Sequence, residues 1–455
     1  MLSRNNIILL VCCSGIFFEA LDIAIVNLAM PIIQQDFQLP ADAIQWMQVV
    51  YVLCYGGFLV LGGKLADLLG RKKVFIAGSL IFMITSLGAG LSPGYSFLLL
   101  NRALQGIGAA LVLPSAFSII TNTFHDEHER NKAIGIFGSF AAIGSGSGLS
   151  LGGIVATYFG WQWIFFINVP VIFISLIFAF VYIAPDHQHT LRRRPDALSS
   201  FLLTSALFGL NYLVHGLGAI RKDWLELVML LAAVVILIVL FFKRNSSRKE
   251  PLIDFAVLNQ PTATTGYGGI AMMGAVFTSY LFLISLILQK SMQFTAAHAG
   301  FILLPFSIFS AIVSKYIVPA MLRVISIGRV GVLGMVFMLT GTLTLAICIA
   351  NDYHTIPLLI SIGCVNGAGI AICFMAYNIT ILHAIPKEQH GLASSLMNAS
   401  FFFAGGLGLS TISLFLDDAD ETYFIPVMVM SSFALLGIAW LLIRQTAPRL
   451  LTLKR

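Results

Sequence analysis

The chain has 455 residues, 58% of them hydrophobic and 10% charged, where an average soluble domain is about 25% charged. That composition excludes a soluble globular protein, and at about 20 apolar residues per bilayer crossing the length accommodates fourteen spans joined by short loops. The net charge of +6, from 26 Lys and Arg against 20 Asp and Glu, is not a nucleic-acid footprint, because the bases fall in short clusters between apolar runs.

In chain order, Arg4 opens an apolar stretch that starts like a signal peptide, but Glu19 and Asp22 interrupt it and no A-x-A site follows within signal-peptide length. It reads as a retained first helix. Apolar runs bounded by breakers predict six spans at roughly 7–30, 44–62, 74–92, 96–122, 134–158 and 164–184. The polar stretch from Pro185 to Asp196, with His187, His189, Arg192, Arg193 and Arg194, ends this unit. Two spans at roughly 198–219 and 224–242 follow, separated by Arg221, Lys222 and Asp223, and a second basic stretch runs from Lys243 to Glu250. Six more are predicted at roughly 262–289, 298–319, 330–350, 355–383, 391–416 and 423–443. The expected architecture is an all-α polytopic membrane protein in a six-plus-two-plus-six arrangement. Residues 1–184 form an N-terminal bundle, 185–261 the linker segments with two extra helices, and 262–455 a C-terminal bundle.

With that count, 21 of the 26 Lys and Arg fall on the side of the N-terminus. Only Arg221, Lys222 and Lys290 fall on the other, while Arg102 and Lys315 lie within spans. Short loops rich in bases stay inside, so both termini are expected in the cytoplasm. All six cysteines (Cys12, Cys13, Cys54, Cys348, Cys364, Cys373) lie in apolar segments without CxxC spacing or a His partner, which argues against disulfides and zinc. No HExxH, P-loop or paired nucleophile and base is spelled, so an enzyme is not expected.

A charge at bilayer depth costs roughly 2.5–3.5 kcal/mol on insertion scales, which makes each one a functional candidate. Asp22 stands fifteen residues into the first span, about 22 Å along the helix, and Arg102 about 9 Å into the inward-running fourth. Both are therefore in the outer half of the bilayer, where they can pair. The pair is either a proton-responsive switch or a static buried ion pair. Glu19, three residues before Asp22, shares its helix face and is a candidate to carry a proton or attract a cationic substrate. Polar groups avoid lipid, so Asn27, Tyr51 and Gln105 in the first half and Asn366, Tyr377, Asn378 and Asn398 in the second are candidate cavity residues. Lys315 is placed to snorkel, and His215 and His383 sit near helix ends. Phe401, Phe402 and Phe403 beside Gly405 and Gly406 suit an adaptable apolar wall. Spans 13 and 14 hold no acids, which argues against a strong preference for dications.

Between spans 2 and 3 the chain reads Gly63-Lys64-Leu65-Ala66-Asp67-Leu68-Leu69-Gly70-Arg71-Lys72-Lys73. This resembles the G-x-L-a-D-r-x-G-r-k-x signature of the major facilitator superfamily, in the loop where that family has it, with Leu68 the one departure. Leu21-Asp22-Ile23-Ala24-Ile25-Val26-Asn27-Leu28-Ala29-Met30-Pro31 is similar to l-D-x-T-i-V-N-v-A-l-P of the fourteen-helix drug:proton antiporter branch, with Ala24 for threonine. Trp46 and Tyr51, Arg102 to Ala110 (R-x-x-Q-G-x-G-a-a) and Trp161 to Pro170 match further signatures, and Pro251 to Asp254, Gln289 and Ala299 to Pro305 match more softly. Gly328-Arg329 echo Gly70-Arg71 in the second half, with Ile325 at the aspartate position. In span 5, Gly144, Gly148, Gly152 and Gly153 stand in a run similar to the antiporter signature g-x-x-x-G-P-x-x-G-G, with Leu149 for proline. A four-residue glycine repeat serves close packing or a hinge.

The resemblance implies a major facilitator fold with both termini cytoplasmic and a cytoplasmic gate loop of Gly63, Asp67, Gly70, Arg71 and Lys72. It further implies proton-coupled export of small amphipathic or cationic compounds by a monomer, without a cofactor and driven by the proton gradient, with Asp22, Arg102 and Glu19 in coupling. The departure at Leu149 keeps open a proton-linked carrier for a specific metabolite or natural product. A non-transporting sensor on the same scaffold is the other alternative, and would tolerate neutralisation of all three charges.

Overall fold

The computed structural model describes residues 3–40, 43–185, 196–217, 224–248, 251–255, 260–386, 389–416 and 423–452. Among these are fourteen helices long and apolar enough to cross a membrane, and no strand. They are α1 (Arg4–Asp36), α2 (Trp46–Leu69), α3 (Arg71–Gly90), α4 (Tyr95–Thr123), α5 (Glu127–Tyr158), α6 (Trp163–Tyr182), α7 (Ala197–Gly216), α8 (Trp224–Ser246), α9 (Pro261–Ser291), α10 (Ala296–Val324), α11 (Ile327–Ala350), α12 (Thr355–His383), α13 (His390–Ser413) and α14 (Phe424–Arg444). Every predicted span coincides with one of them. The largest boundary errors are at the end of α2, which runs on to Leu69, at the start of α5 and at the end of α1, where polar residues join the terminal turns. Asp126 caps α5 through the Glu129 amide, and Ser3 caps α1 through the Asn6 amide. The stretch with His187, His189 and Arg192 to Arg194, the Arg221–Asp223 turn, Lys249, Glu250, Lys387 and the acids 417–421 lie outside the described residues.

Helices α1 to α6 pack on one another, as do α9 to α14, while α7 rests on both α2 and α13 and carries α8. Helix α8 presents Val228, Met229, Leu231, Val235, Ile236 and Val239 outward, as a lipid-facing helix must when no water competes for its surface. Because consecutive spans alternate in direction, all helices have one end on the face where α1 begins (the near face) and one on the face where it ends (the far face).

The two groups of helices meet mainly through α5 with α10 and α2 with α13. On the far face they are pressed together. A Cβ at Gly153 would run into the Ala296 carbonyl, one at Gly300 would approach the Leu149 carbonyl to 2.5 Å, and the Ala297 amide donates to Thr157 Oγ1 at 3.1 Å. Toward the near face the same helices separate: added side chains at Gly135 and Gly138 of α5 or Gly391 of α13 would meet nothing within 4 Å. The two groups are thus in close contact on the far face, and open space (the near-face gap) lies beside these three positions.

Single π-helical turns interrupt α9 at Ile287–Ser291, α10 at Val313–Ile317 and α12 at Gly363–Gly369. All three lie in the second group of helices, and such turns mark places where a membrane helix trades regular bonding for local adjustment.

Candidate functional site

The glycine repeat of α5 determines how deeply α1 is seated. Side chains at Gly148 and Gly152 would approach the Leu21 and Ile25 carbonyls to 2.7 and 2.9 Å, and one at Gly144 would run into the Phe17 carbonyl more closely still. Glycines at every fourth position of α5 thus lie along carbonyls at every fourth position of α1, which lets the backbones touch. The repeat is a packing seam inside the first group of helices, and Gly153 turns to the other group instead. Leu149 is buried and α5 runs unbroken from 127 to 158, as the absence of a proline permits.

This seating fixes Asp22 in the interior. Asp22 and Arg102 are both fully buried, and Arg102 Nη1 donates to Asp22 Oδ2 at 2.5 Å. The pairing that depth alone suggested is therefore formed. The other carboxylate oxygen accepts from Gln105 Nε2 at 3.2 Å and Asn168 Nδ2 at 3.3 Å. Gln105 in turn accepts from Arg102 Nη1 at 2.8 Å and donates to Ser86 Oγ at 2.7 Å. The guanidinium lies 4.2 Å from the centre of the Tyr51 ring, a cation–π contact strengthened by the absence of water. The carboxylate is thus met by a cation and two neutral donors, while the guanidinium is held through Nη1 and the Tyr51 face and its Nη2 is buried without a hydrogen-bond partner.

Tyr51 leads onward. Its ring is 6.0 Å from that of Tyr55, whose hydroxyl hydrogen-bonds Glu19 and whose ring packs 4.5 Å from Phe402 of α13. The aromatic pair on α2 therefore connects the Asp22–Arg102 pair, the second carboxyl and the facing group of helices. Glu19 borders a cavity of about 20 Å³ lined also by Ser14, Ser79, Ser175, Phe18 and Phe82. The Ser14 and Ser175 hydroxyls are 2.7 Å apart. That volume is enough for one water and far too small for an organic cation. Glu19 is thus turned into the first group of helices, an environment suited to a proton rather than to cargo.

The candidate cavity residues separate. Tyr51 and Gln105 do not line the gap, because both are fully buried in the ion-pair cluster. Asn27 is 2% exposed and its side chain donates back to the Ile23 carbonyl at 2.8 Å, so it belongs to the far-face seal. Tyr377 is a packing residue: its ring fills the space left by Gly269 and Gly331, and its hydroxyl donates to the Gly331 carbonyl at 2.9 Å. Asn366 donates to Ser307 Oγ at 3.3 Å. Asn378 and Asn398 are half-buried, the latter donating to the Ser394 carbonyl. Sequence reasoning missed Tyr55, Ser86 and Asn168 as members of the site. Asn168 was visible in the Trp161–Pro170 signature, and Tyr55 follows Tyr51 by one helical turn.

At the near face Gly70 takes φ +105°, ψ 137°, a backbone state closed to other residues, and turns α2 sharply into α3. Lys72 Nζ then donates to the Phe180 and Ile183 carbonyls at 2.8 and 2.6 Å, and Arg4 donates to the Tyr182 carbonyl at 3.1 Å. Two cations thus cap the last turn of α6. Lys64 Nζ donates to the Pro251 carbonyl. Asp196 caps α7 through Ser199 and receives both Arg244 Nε and Nη2, at 2.9 and 2.8 Å. Burial alone would raise the Asp196 carboxyl, but Ser199 and the Arg244 guanidinium hold it below the usual carboxylate range. The basic loop is thereby tied to the end of α6 and to the segment after α8, and Asp196 joins the start of α7 to the end of α8. Lys315 Nζ sits 5.2 Å from the Tyr316 ring, and His215 packs edge-on to Trp46.

A fourteen-helix membrane protein with two groups of helices apart on one face, joined on the other and carrying an ion pair in its interior has the architecture of a secondary transporter. Residues 12–409 match the model of the Major Facilitator Superfamily, and the chain belongs to that family. It is 29% identical over 404 residues to the multidrug resistance protein Stp of Mycobacterium tuberculosis, covering 88% of this chain and 73% of that one. It is 28% identical to the puromycin resistance protein pur8 of Streptomyces alboniger (89% and 80% covered) and 29% identical to the cephamycin export protein CmcT of Amycolatopsis lactamdurans (89% and 83%). Among solved structures, a peptide transporter POT in complex with sulfate superimposes with a TM-score of 0.73 at 15% identity, over 99% of both chains, and so shares the fold. The protein is a multi-pass protein of the bacterial inner membrane.

Proposed function

We propose that this protein exports small amphipathic or cationic compounds by alternating access in exchange for protons. The two moving halves are residues 1–184 and 262–455, with 185–261 an inserted pair of helices. The distribution of Lys and Arg supports a cytoplasmic near face, so the gap described above is the inward-open state. Relatives named for drug resistance and export support the direction of transport. The reaction is movement rather than bond chemistry, needs no cofactor beyond the proton gradient and is carried out by a monomer.

The observation that carries the reading is the buried Asp22–Arg102 pair. While Asp22 is charged, Arg102 is held by it together with Gln105. A proton on Asp22 cancels the attraction and leaves Arg102 as an uncompensated buried cation, which favours a helix arrangement that readmits water or substrate charge to the site. Glu19, one turn away and joined through Tyr55 to Phe402, is the second proton carrier and transmits its state to α13.

The test uses inverted membrane vesicles from cells expressing the protein. A proton gradient is established by respiration, and a pH-sensitive dye reports its partial collapse when a cationic amphiphile is added. The reading predicts collapse with wild type and none with Asp22→Asn. Collapse with Asp22→Asn, Glu19→Gln and Arg102→Met alike would refute a coupling role for these residues. Response to one compound and to none of its chemical neighbours would instead support the narrow-substrate carrier that the departure at Leu149 keeps open.

A further inference from the structure

Helix α1 carries Pro31 in its interior. Proline has no amide hydrogen, and its ring crowds the carbonyl four residues earlier, so the Asn27 carbonyl loses its partner within the helix. A buried acceptor of this kind must be met from elsewhere. Asn27 is 2% exposed, and its carbonyl receives Ser285 Oγ of α9 at 2.7 Å. The next carbonyl, Leu28, receives Gln289 Nε2 at 3.0 Å, and the same nitrogen donates to Ser285 Oγ at 2.9 Å. Ser285 is 1% exposed, and Gln289 lies in the π-helical turn that ends α9.

These bonds cross from the first group of helices to the second, on the face where the two are closed. The Asn27 acceptor is left free by a proline, so the seal rests on the backbone of α1 rather than on a matched pair of side chains. From this we infer that Ser285 and Gln289 are the positioning residues of the far-face gate, and that Pro31 sets the balance of the transport cycle by leaving a carbonyl that is satisfied only in the closed state. The inference rests on alternating access, and its test separates the two.

When the far face opens, Ser285 and Gln289 leave α1 and the Asn27 carbonyl passes to water. Removing either donor should then shift the closed-to-open ratio about tenfold toward open, the effect of about 1.4 kcal/mol that a net buried hydrogen bond supplies. Pro31→Ala restores an amide that bonds Asn27 within the helix in both states. It should shift the ratio the same way and make Ser285→Ala nearly silent on top of it, a non-additive pair.

The experiment is hydrogen–deuterium exchange by mass spectrometry on the full protein in lipid nanodiscs, following peptides covering residues 24–36 and 285–300. Ser285→Ala and Gln289→Ala should raise exchange about tenfold in both peptides relative to wild type. Ser285→Thr, which keeps the hydroxyl, should stay near wild type. Unchanged exchange in Ser285→Ala and Gln289→Ala would overturn the gate. Equal acceleration in Ser285→Thr would assign the effect to packing and overturn it as well. Full additivity of Pro31→Ala with Ser285→Ala would remove the proline from the device. If the far-face peptides of every form, wild type included, never exchange at neutral or at acidic pH, alternating access itself fails and the gate falls with it.

Discussion

Replacing Asp22 with alanine removes the acceptor of Arg102 Nη1, Gln105 Nε2 and Asn168 Nδ2 at once. Breaking a fully buried ion pair on one side costs about 3–5 kcal/mol, because the remaining charge has no water to turn to. The two neutral donors add about 1 kcal/mol each, offset where Gln105 keeps Ser86. The single substitution should therefore cost about 4–6 kcal/mol. Arg102→Met alone should cost about 3–5 kcal/mol, since it strands the carboxylate. The double variant Asp22→Leu with Arg102→Met replaces the pair by apolar volume and should return to within about 2 kcal/mol of wild type, while losing proton coupling. Equilibrium unfolding of the purified protein in mixed micelles, run as a double-mutant cycle, measures all four corners. Single variants costing under about 1 kcal/mol, or a double variant as unstable as the sum of the singles, would refute the buried-pair account.

At the packing seam, Gly148→Val should cost about 1–3 kcal/mol and lower the melting temperature, because the new side chain meets the Leu21 carbonyl at 2.7 Å; differential scanning fluorimetry checks this. Gly70→Ala must pass through a strained backbone and should lose about 1–3 kcal/mol in the same assay. The Asp196 cluster has a pH signature: with its carboxyl held low, its contribution is complete above the ordinary carboxylate value of about 3.9 and is lost only as pH falls through the lower folded value. Melting temperatures of wild type and Asp196→Asn should therefore differ by a constant amount between pH 6 and about 8, and a difference that changes across this window would contradict the assignment.

The span count was legible because the bilayer leaves a helix little choice: twenty apolar residues in lipid must bond their own backbone. A close-packing face on α5 was legible too, since glycines at every fourth position announce one face, but not that α1 is its partner or that the hinge alternative gives way to a seam. Depth arithmetic brought Asp22 and Arg102 to one level, but it could not say what else shared that level. Gln105 and Tyr51 looked like cavity residues because polarity in a span says only that lipid is avoided. Whether a polar group faces the gap or a neighbouring ion depends on helix rotation, which a single periodicity does not fix. Asn27 misled for a related reason: what matters there is its carbonyl, and backbone acceptors carry no letter of their own. The clue was Pro31, four residues on, whose consequence required knowing that α9 passes beside it.

The measurement that bears most directly on proton-coupled export uses purified protein in proteoliposomes with an imposed pH gradient, following internal pH while cationic, neutral and anionic amphiphiles are added in turn. The account predicts proton movement evoked by cationic amphiphiles with wild type, and none with Asp22→Asn although that variant remains folded. Proton movement that persists in Asp22→Asn, or a wild-type protein that moves no protons with any compound, would contradict it.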